Sequence, residues 1–394
     1  MRIAYVSADC GVPVFGMKGC SLHVQEVVRA FCRRGIDVNL FAAAVRGDLP
    51  ADLAGIQLHK VKYPAVAEIT ECEQAGHDAN RDTMARLHTS GPFDLVYERY
   101  SLWGHAGMNY ARTSGIPGVL EVNAPLIEEQ EKYRGLTDRS AAERITRSCF
   151  ECADTLIAVS EGVADYLEQF KEARGKIHVV PNGVNPARFP TTRTASSTAG
   201  DIFTIGFVGT LKPWHGLEGL LESFLQLLTQ HPQARLLIVG DGPEAGKLRG
   251  QIAAAGLDKI VEMTGAVKPE EIPRQLARMD VGVAPYPDDP DFYFSPLKVY
   301  EYMAAALPVV ASRIGQLDGL IVHEQNGLVY TPGDSSRLTR ALARLIENRA
   351  WACDLGKAAH QTILAGHTWD DRVERILQLA ATGKIQPHVI RNTG

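Results

Sequence analysis

The sequence predicts an α/β protein built from two doubly wound halves, each a parallel sheet covered by helices. Three observations carry this. Short β-branched runs alternate with longer segments of helical period, which is the pattern of parallel sheets with helices on both faces. The alternation stops at a polar, small-residue stretch, Pro190–Gly200, and restarts at Phe203. The chain has 394 residues, more than twice a typical domain of ~150.

In the first half the expected strands are Arg2–Ala8, Val38–Ala44, Leu95–Tyr100, Gly118–Val122, Thr155–Ser160 and Ile177–Pro181. The clearest helix follows the first strand. Ser21 is its expected cap, Leu22, Val24, Val27, Val28 and Phe31 share one side, and Gly35 stops it. In the second half the expected strands are Phe203–Thr210, Arg235–Gly240, Ile260–Gly265, Val281–Pro285 and Pro308–Ser312, with helices such as Gly216–Gln230 and Asp334–Glu347 between or after them. The last segment, Trp369–Ala381, sets Val373, Ile376, Leu377 and Ala380 at amphipathic helical spacing. The implied organisation is an amino-terminal domain (1–188), a carboxy-terminal domain (189–366) and a terminal helix with its tail (367–394).

Composition narrows the function classes. Apolar residues at 45% and charged residues at 22% describe an ordinary folded chain rather than a disordered one. A net charge of −5 lacks the basic footprint of a nucleic-acid binder. No run approaches a membrane span, and Asp9 comes too early for the apolar core of a signal peptide. Seven scattered cysteines, an odd number, fit reduced thiols in a cytoplasmic protein. Cys149 and Cys152 form a CxxC without a second pair, so they read as core rather than as a zinc site.

Four stretches carry candidate chemistry. The loop Cys10–Ser21, with Gly16 and Gly19, joins the first strand to the first helix. It reads equally as a backbone cradle for a phosphate or sugar and as a tight turn. The second half opens alike: Gly209 and Thr210 lead to Lys212, His215 and Gly216, then to a helix. A lysine beside a helix N-terminus suits a diphosphate, while the bland alternative is a solvated lysine and a packed histidine. Gly240-Asp241-Gly242-Pro243 repeats the strand–glycine–helix pattern. The strongest stretch is Phe294–Ser312, in which Ser295 and Pro296 fit the cap and first position of a helix. Lys298 and Glu301, three apart, share its face, where the cation suits phosphates and the carboxylate suits a ribose diol. The alternative is a surface ion pair worth a few tenths of a kcal/mol, against which Ala304–Ala306 and the following apolar strand argue for burial.

These stretches, taken in order and joined by Val180-Pro181-Asn182-Gly183-Val184-Asn185, resemble the retaining sugar-nucleotide glycosyltransferases of family 4, over residues 1 to about 380. The resemblance implies a GT-B fold, two Rossmann-like domains facing a cleft, with the acceptor on the first and the donor on the second. It implies that Gly19 lies against the donor diphosphate and that Glu301, the second acid of a Glu-x7-Glu motif, holds the donor ribose. The turn Ser295-Pro296-Leu297-Lys298 faces the phosphates, and Gly265–Lys268, Val267 included, reads the base. Gly16, Gly209, Thr210, His215 and Gly240 complete the expected donor contacts. Glu98-Arg99 and Glu121-Val122-Asn123 would follow strands on the acceptor side, and the terminal helix would cross back to the first domain.

The chain departs from the pattern in three places. Tyr293 stands where the first acid belongs, with Asp289 or Asp291 as substitutes. Thr210 and His215 stand where an arginine and a lysine neutralise the diphosphate, leaving Lys212 and Lys298 as the cations. Near Asn123 a histidine is lacking, and His105 reads as structural. The Asp289-Pro290-Asp291 triplet is not taken as a metal motif, because the resembled fold uses lysines and helix dipoles, and no metal cofactor is expected.

The expected function is a retaining transferase that moves a sugar from a nucleoside diphosphate to an acceptor hydroxyl on a glycan, a lipid-linked carrier or a small natural product. Lys212, Lys298 and Glu301 are its expected catalytic residues, with no general base named. The alternatives are a non-catalytic sugar-nucleotide binder and a pseudo-glycosyltransferase acting on a cyclitol. A dehydrogenase fits poorly without GxGxxG. Leu49–Ser90 reads as an irregular acceptor-side insertion. Arg29, Arg33 and Arg34 offer either a solvated helix face or a peripheral contact with the inner face of a membrane.

Overall fold

The computed structural model describes residues 1–64, 68–190, 202–289, 292–293 and 295–383. They divide into two compact units, Met1–Asn182 with the chain from Trp369 onward, and Gly183–Thr368. Apart from Pro190, the expected linker lies outside the described residues, as do Pro290, Asp291 and Phe294.

The first unit is a seven-stranded parallel sheet of β1 (Arg2–Ser7), β2 (Asp37–Ala42), β3 (Gln57–Lys60), β4 (Leu95–Arg99), β5 (Gly118–Val122), β6 (Thr155–Ala158) and β7 (Ile177–Val179). The order is β3-β2-β1-β4-β5-β6-β7, so the chain reverses its direction of winding between β1 and β4. The central strands β1, β4 and β5 are buried on both faces, as parallel sheets require, with Glu98 and Glu121 carried inside. Tyr5 and Tyr97, paired in register, bring their rings to 5.1 Å.

Two expectations need correction here. Helix Gly19–Arg33 starts two residues before Ser21, with Lys18 at the cap, so Ser21 is a fully buried helical residue. Leu49–Ser90 is not irregular, because it contains β3 and the 22-residue helix Ile69–Ser90. That helix hides its buried stripe in small residues (Ala75, Ala79 and Thr83, ending at Leu87), which carry little hydrophobic signal. The three arginines are occupied by ion pairs: Arg29 with Asp52 and Glu26, Arg33 with Asp370, and Arg34 with Glu374. The last two pairs, with Trp369 edge-on to His23 at 4.9 Å, fasten helix Trp369–Gly383 to helix Gly19–Arg33.

The second unit is a six-stranded parallel sheet of β8 (Phe203–Val208), β9 (Ala234–Val239), β10 (Val261–Met263), β11 (Val281–Ala284), β12 (Val309–Ser312) and β13 (Leu328–Tyr330). The order β10-β9-β8-β11-β12-β13 puts the reversal between β8 and β11. Helices Leu217–Leu228 and Ser335–Glu347 pack together on this sheet, and Ser223 Oγ donates to the carbonyl of Ser335 at 3.0 Å. Helix Leu297–Ala304 covers β11 and β12, burying Val299, Tyr300, Tyr302 and Met303. It begins at Leu297 with Pro296 at the cap, so Ser295 precedes the cap rather than filling it. Among the described residues no helix is long and apolar enough to cross a membrane.

Candidate active site

Open parallel sheets present their ligand sites beyond the carboxyl ends of the strands, where the winding reverses. In the second unit that point lies between the loop after β8, starting at Gly209, and the loop after β11, leading to helix Leu297–Ala304. Gly209 takes φ +146° and Gly240 takes φ +139°, a region that favours glycine. A Cβ on Gly240 would lie 2.0 Å from the Gly209 carbonyl oxygen, so the two loops approach backbone to backbone. The Gly240 amide donates to Gly265 O at 3.0 Å, which brings the start of Gly265–Lys268 alongside. Gly209, Gly240 and Gly265 therefore form one row, with Gly240 needed for the packing itself.

Lys298 rises into this row from the first turn of its helix. Its Nζ is 4.1 Å from the centre of the Phe207 ring and 5.3 Å from that of Tyr286. It would be 3.1 Å from a Cβ placed on Gly209. The residue is 9% exposed, and among the described residues no hydrogen-bond acceptor reaches the ammonium. Burial lowers its pKa to about 7, opposed by the Glu301 charge one turn away. A buried cation without an acceptor costs free energy, and a ligand anion over Gly209 would remove that cost. Glu301 is half-buried on the same helix.

His215 and Thr210 come together, with His215 Nδ1 2.5 Å from Thr210 O. Burial first, then the Lys298 charge, push the imidazole down to about 3, so it is neutral and donates its Nδ1–H to that carbonyl. It packs beside Phe207 and Tyr286. Lys212 is half-buried at the start of the turn Pro213–His215, and its Nζ lies over the Trp214 ring at 5.3 Å. Leu297 N donates to Ser295 O at 3.0 Å, so the turn before the helix closes on itself. Val267 packs against the apolar core under helix Leu297–Ala304. Tyr293, in place of the first motif acid, is half-buried. Among the described residues no three His, Cys, Asp or Glu side chains gather as a metal site.

In the first unit, Gly16 packs on Pro13 and on Ser21, whose Oγ would be 2.9 Å from a Cβ there. Gln25 Nε2 donates to the carbonyls of Val14 and Gly16, both at 3.1 Å, which ties down the loop before Gly19. Glu98, Arg99, Glu121 and Val122 lie inside β4 and β5 rather than after them, and both acids are buried. Glu98 Oε2 accepts from the Met108 amide at 2.8 Å, and burial raises its pKa to about 7 against that bond. Glu121 gathers His23 at 2.6 Å, Arg99 at 3.3 Å, Asn123 at 2.5 Å and the Tyr97 hydroxyl. Burial raises its pKa, but His23 and Arg99 outweigh that, and the carboxyl falls to about 2. Sequence reasoning missed His23, since it lies far from Glu121 along the chain and carries no local signature.

Comparison with known proteins agrees with this architecture. A model of glycosyl transferases group 1 matches residues 202–348, and a model of glycosyltransferase family 4 matches residues 17–188. A D-inositol 3-phosphate glycosyltransferase of Pseudarthrobacter chlorophenolicus is 26% identical over 367 residues, covering 86% of this chain and 85% of its own. The structure of sucrose-phosphate synthase from Thermosynechococcus elongatus superposes with a TM-score of 0.78 at 21% identity, covering 97% of this chain and 98% of the other. Anabaena HepE in complex with UDP-glucose does so with a TM-score of 0.73 at 19% identity, covering 97% and 100%. The two family models span most of the chain between them, its two units carry the paired parallel sheets of the GT-B fold, and the chain accordingly belongs to the family 4 glycosyltransferases.

Proposed function

We propose that this glycosyltransferase moves a hexosyl residue from a nucleoside diphosphate sugar to an acceptor hydroxyl, with retention of anomeric configuration and without a metal. The observation that supports it best is Lys298, a buried ammonium without an acceptor, held against the bare backbone of Gly209. Such a group stabilises negative charge on a leaving diphosphate, and fixed charges aimed at the atom where charge develops supply much of the rate enhancement in many enzymes. The bond between the anomeric carbon and the phosphate oxygen breaks, and the acceptor oxygen bonds to that carbon on the same face. The acceptor proton leaves with the departing phosphate, so no protein base is required. Glu301 holds the ribose, and Lys212 assists the diphosphate from the rim. The solved neighbour HepE, in complex with UDP-glucose, supports a nucleotide-sugar donor, and the inositol-phosphate glycosyltransferase relative supports transfer to a hydroxyl.

A thermal-shift screen of nucleoside diphosphates and their sugars, followed by product NMR, tests this reading, since a tight ligand raises the melting temperature by mass action. A cognate nucleotide should stabilise the protein, and the product should keep the donor's anomeric configuration. Neutral His215 and Thr210, where cations are expected, favour one competing reading, a binder without turnover. Nucleotide binding with no transfer or donor hydrolysis across the panel would establish that instead.

A further inference from the structure

His215 carries a hydrogen-bonding atom that a phosphate oxygen cannot use. Its Nδ1 lies 2.5 Å from the carbonyl oxygen of Thr210, which can only accept, so Nδ1 carries a proton. The ring is neutral, kept so by burial first and then by the Lys298 charge, and a neutral imidazole has one N–H proton. The second nitrogen, Nε2, is therefore an acceptor. Among the described residues Nε2 has no hydrogen-bond partner, and the side chain is half-buried rather than sealed in the core.

The ring stands in the same place as the Lys298 ammonium. The centres of the Phe207 and Tyr286 rings are each 5.8 Å from the centre of the imidazole, and Lys298 Nζ lies 4.1 Å and 5.3 Å from the same two rings. Cation and imidazole thus share one aromatic wall beside the bare backbone of Gly209. A ligand whose anion rests on Lys298 sets its adjoining atoms near His215. Phosphate oxygens are acceptors and find no hydrogen at Nε2, so the matching group is an O–H or N–H. A nucleoside diphosphate sugar offers these on its base, its ribose and its transferred sugar. On the donor reading, on which this step rests, Gly265–Lys268 take the base and Glu301 the ribose, which leaves the sugar. We infer that His215 is a specificity-determining residue, whose Nε2 accepts a hydrogen bond from a hydroxyl of the transferred sugar.

The role involves no proton transfer. A ring whose pKa is pushed down to about 3 accepts a hydrogen bond from a hydroxyl but leaves the proton on its oxygen. A lysine in this position would instead donate to phosphate, whichever sugar hung from it. The neutral ring thus gives up a grip on the diphosphate, common to every donor, for a contact that only a correctly placed hydroxyl completes. The Nδ1 bond to Thr210 fixes the ring so that Nε2 holds one direction.

Calorimetry on the full chain with UDP against UDP-glucose, and GDP against GDP-mannose, tests the assignment. His215→Asn keeps an N–H for the Thr210 carbonyl and has no atom where Nε2 stood. It should bind the sugar-bearing nucleotide roughly three- to tenfold more weakly, the worth of one neutral hydrogen bond, and the bare nucleotide within about twofold of the wild type. His215→Gln, whose amide oxygen can stand in for Nε2, should regain part of the loss, and His215→Lys should tighten the bare nucleotide. Monodeoxy forms of the sugar give a second measurement that needs no variant: one of them should bind the wild type roughly three- to tenfold more weakly. That same form should bind His215→Asn no more weakly than the parent sugar does. An equal loss on bare and sugar-bearing nucleotides in His215→Asn, or wild-type affinity that ignores every missing hydroxyl, would overturn the inference. Binding of neither UDP nor GDP by the wild type would defeat the donor reading itself, an outcome distinct from both.

Discussion

His23 Nε2 stands 2.6 Å from Glu121 Oε1 in the interior of the first unit, with both side chains 3% exposed. The two side chains approach closely without an aligned hydrogen bond. Arg99 and Asn123 close on the same carboxylate, so Glu121 joins the first helix, β4 and the segment after β5. Removing one member of such a group leaves the others charged or unpaired in the interior.

Glu121 therefore ties stability to acid. Its folded pKa, about 2, lies below the ordinary 4.5, so its contribution is complete above about 4.5 and disappears as pH falls through about 2. Glu121→Gln should cost about 3 kcal/mol at pH 7 and flatten the acid limb. Urea denaturation of both proteins between pH 2.5 and 7 measures this (~0.5-unit steps suffice). An unchanged acid limb in the variant would refute the assignment.

Glu98 has the opposite sign. Its folded pKa, about 7, exceeds the ordinary 4.5, so the fold favours the protonated acid and loses stability as pH rises from about 4.5 to 7. Glu98→Gln keeps an acceptor for the Met108 amide while removing the buried charge. It should raise stability by up to ~3 kcal/mol above pH 7.5 and make little difference near pH 4. The same denaturation series checks it.

Lys298 makes donor binding a proton-linked event. In the free protein its pKa is about 7, and an anion beside it must raise that value. At about pH 8, binding of a nucleoside diphosphate should take up as much as one proton per site, and affinity should fall as pH climbs past about 7. Calorimetry in buffers of differing ionisation enthalpy reads the uptake directly. In Lys298→Met the uptake should vanish and affinity drop roughly ten- to hundredfold; equal uptake by both proteins would exclude Lys298 from the site.

Gly240 should tolerate no side chain, because its φ is +139° and a Cβ there would meet the Gly209 carbonyl oxygen at 2.0 Å. Gly240→Ala should destabilise by at least ~2 kcal/mol and weaken nucleotide binding as the Gly209 loop shifts. Gly250 is the control: it lies exposed in helix Ala245–Ala254 with nothing within 4 Å of its Cβ position. Gly250→Ala should stabilise by ~0.5–1 kcal/mol. Melting curves of the pair decide the point.

The features legible in the sequence were those written locally. Buried parallel strands such as Val281–Ala284 announce themselves as apolar runs, and glycines 209 and 240 mark the loops that meet at β8 and β9. Strand β3 escaped notice because Gln57-Leu58-His59-Lys60 is a polar edge strand. Strand β13, Leu328–Tyr330, is three residues long, too short for a period to register. The neutral state of His215 depends on burial and on Lys298, 83 positions away, and neither is visible in a turn's spelling. The His23–Glu121 pair exists only once the first helix and β5 lie side by side.

The latch between helix Trp369–Gly383 and helix Gly19–Arg33 makes the first unit discontinuous along the chain. During synthesis, Arg33, Arg34 and the edge of His23 wait without their partners until all of Gly183–Thr368 has left the ribosome. The lobe begun first is thus the last to be completed. A fragment ending at Asn182 would expose the surface that the returning helix covers, and an excised lobe needs that helix supplied, fused or in trans, to be whole.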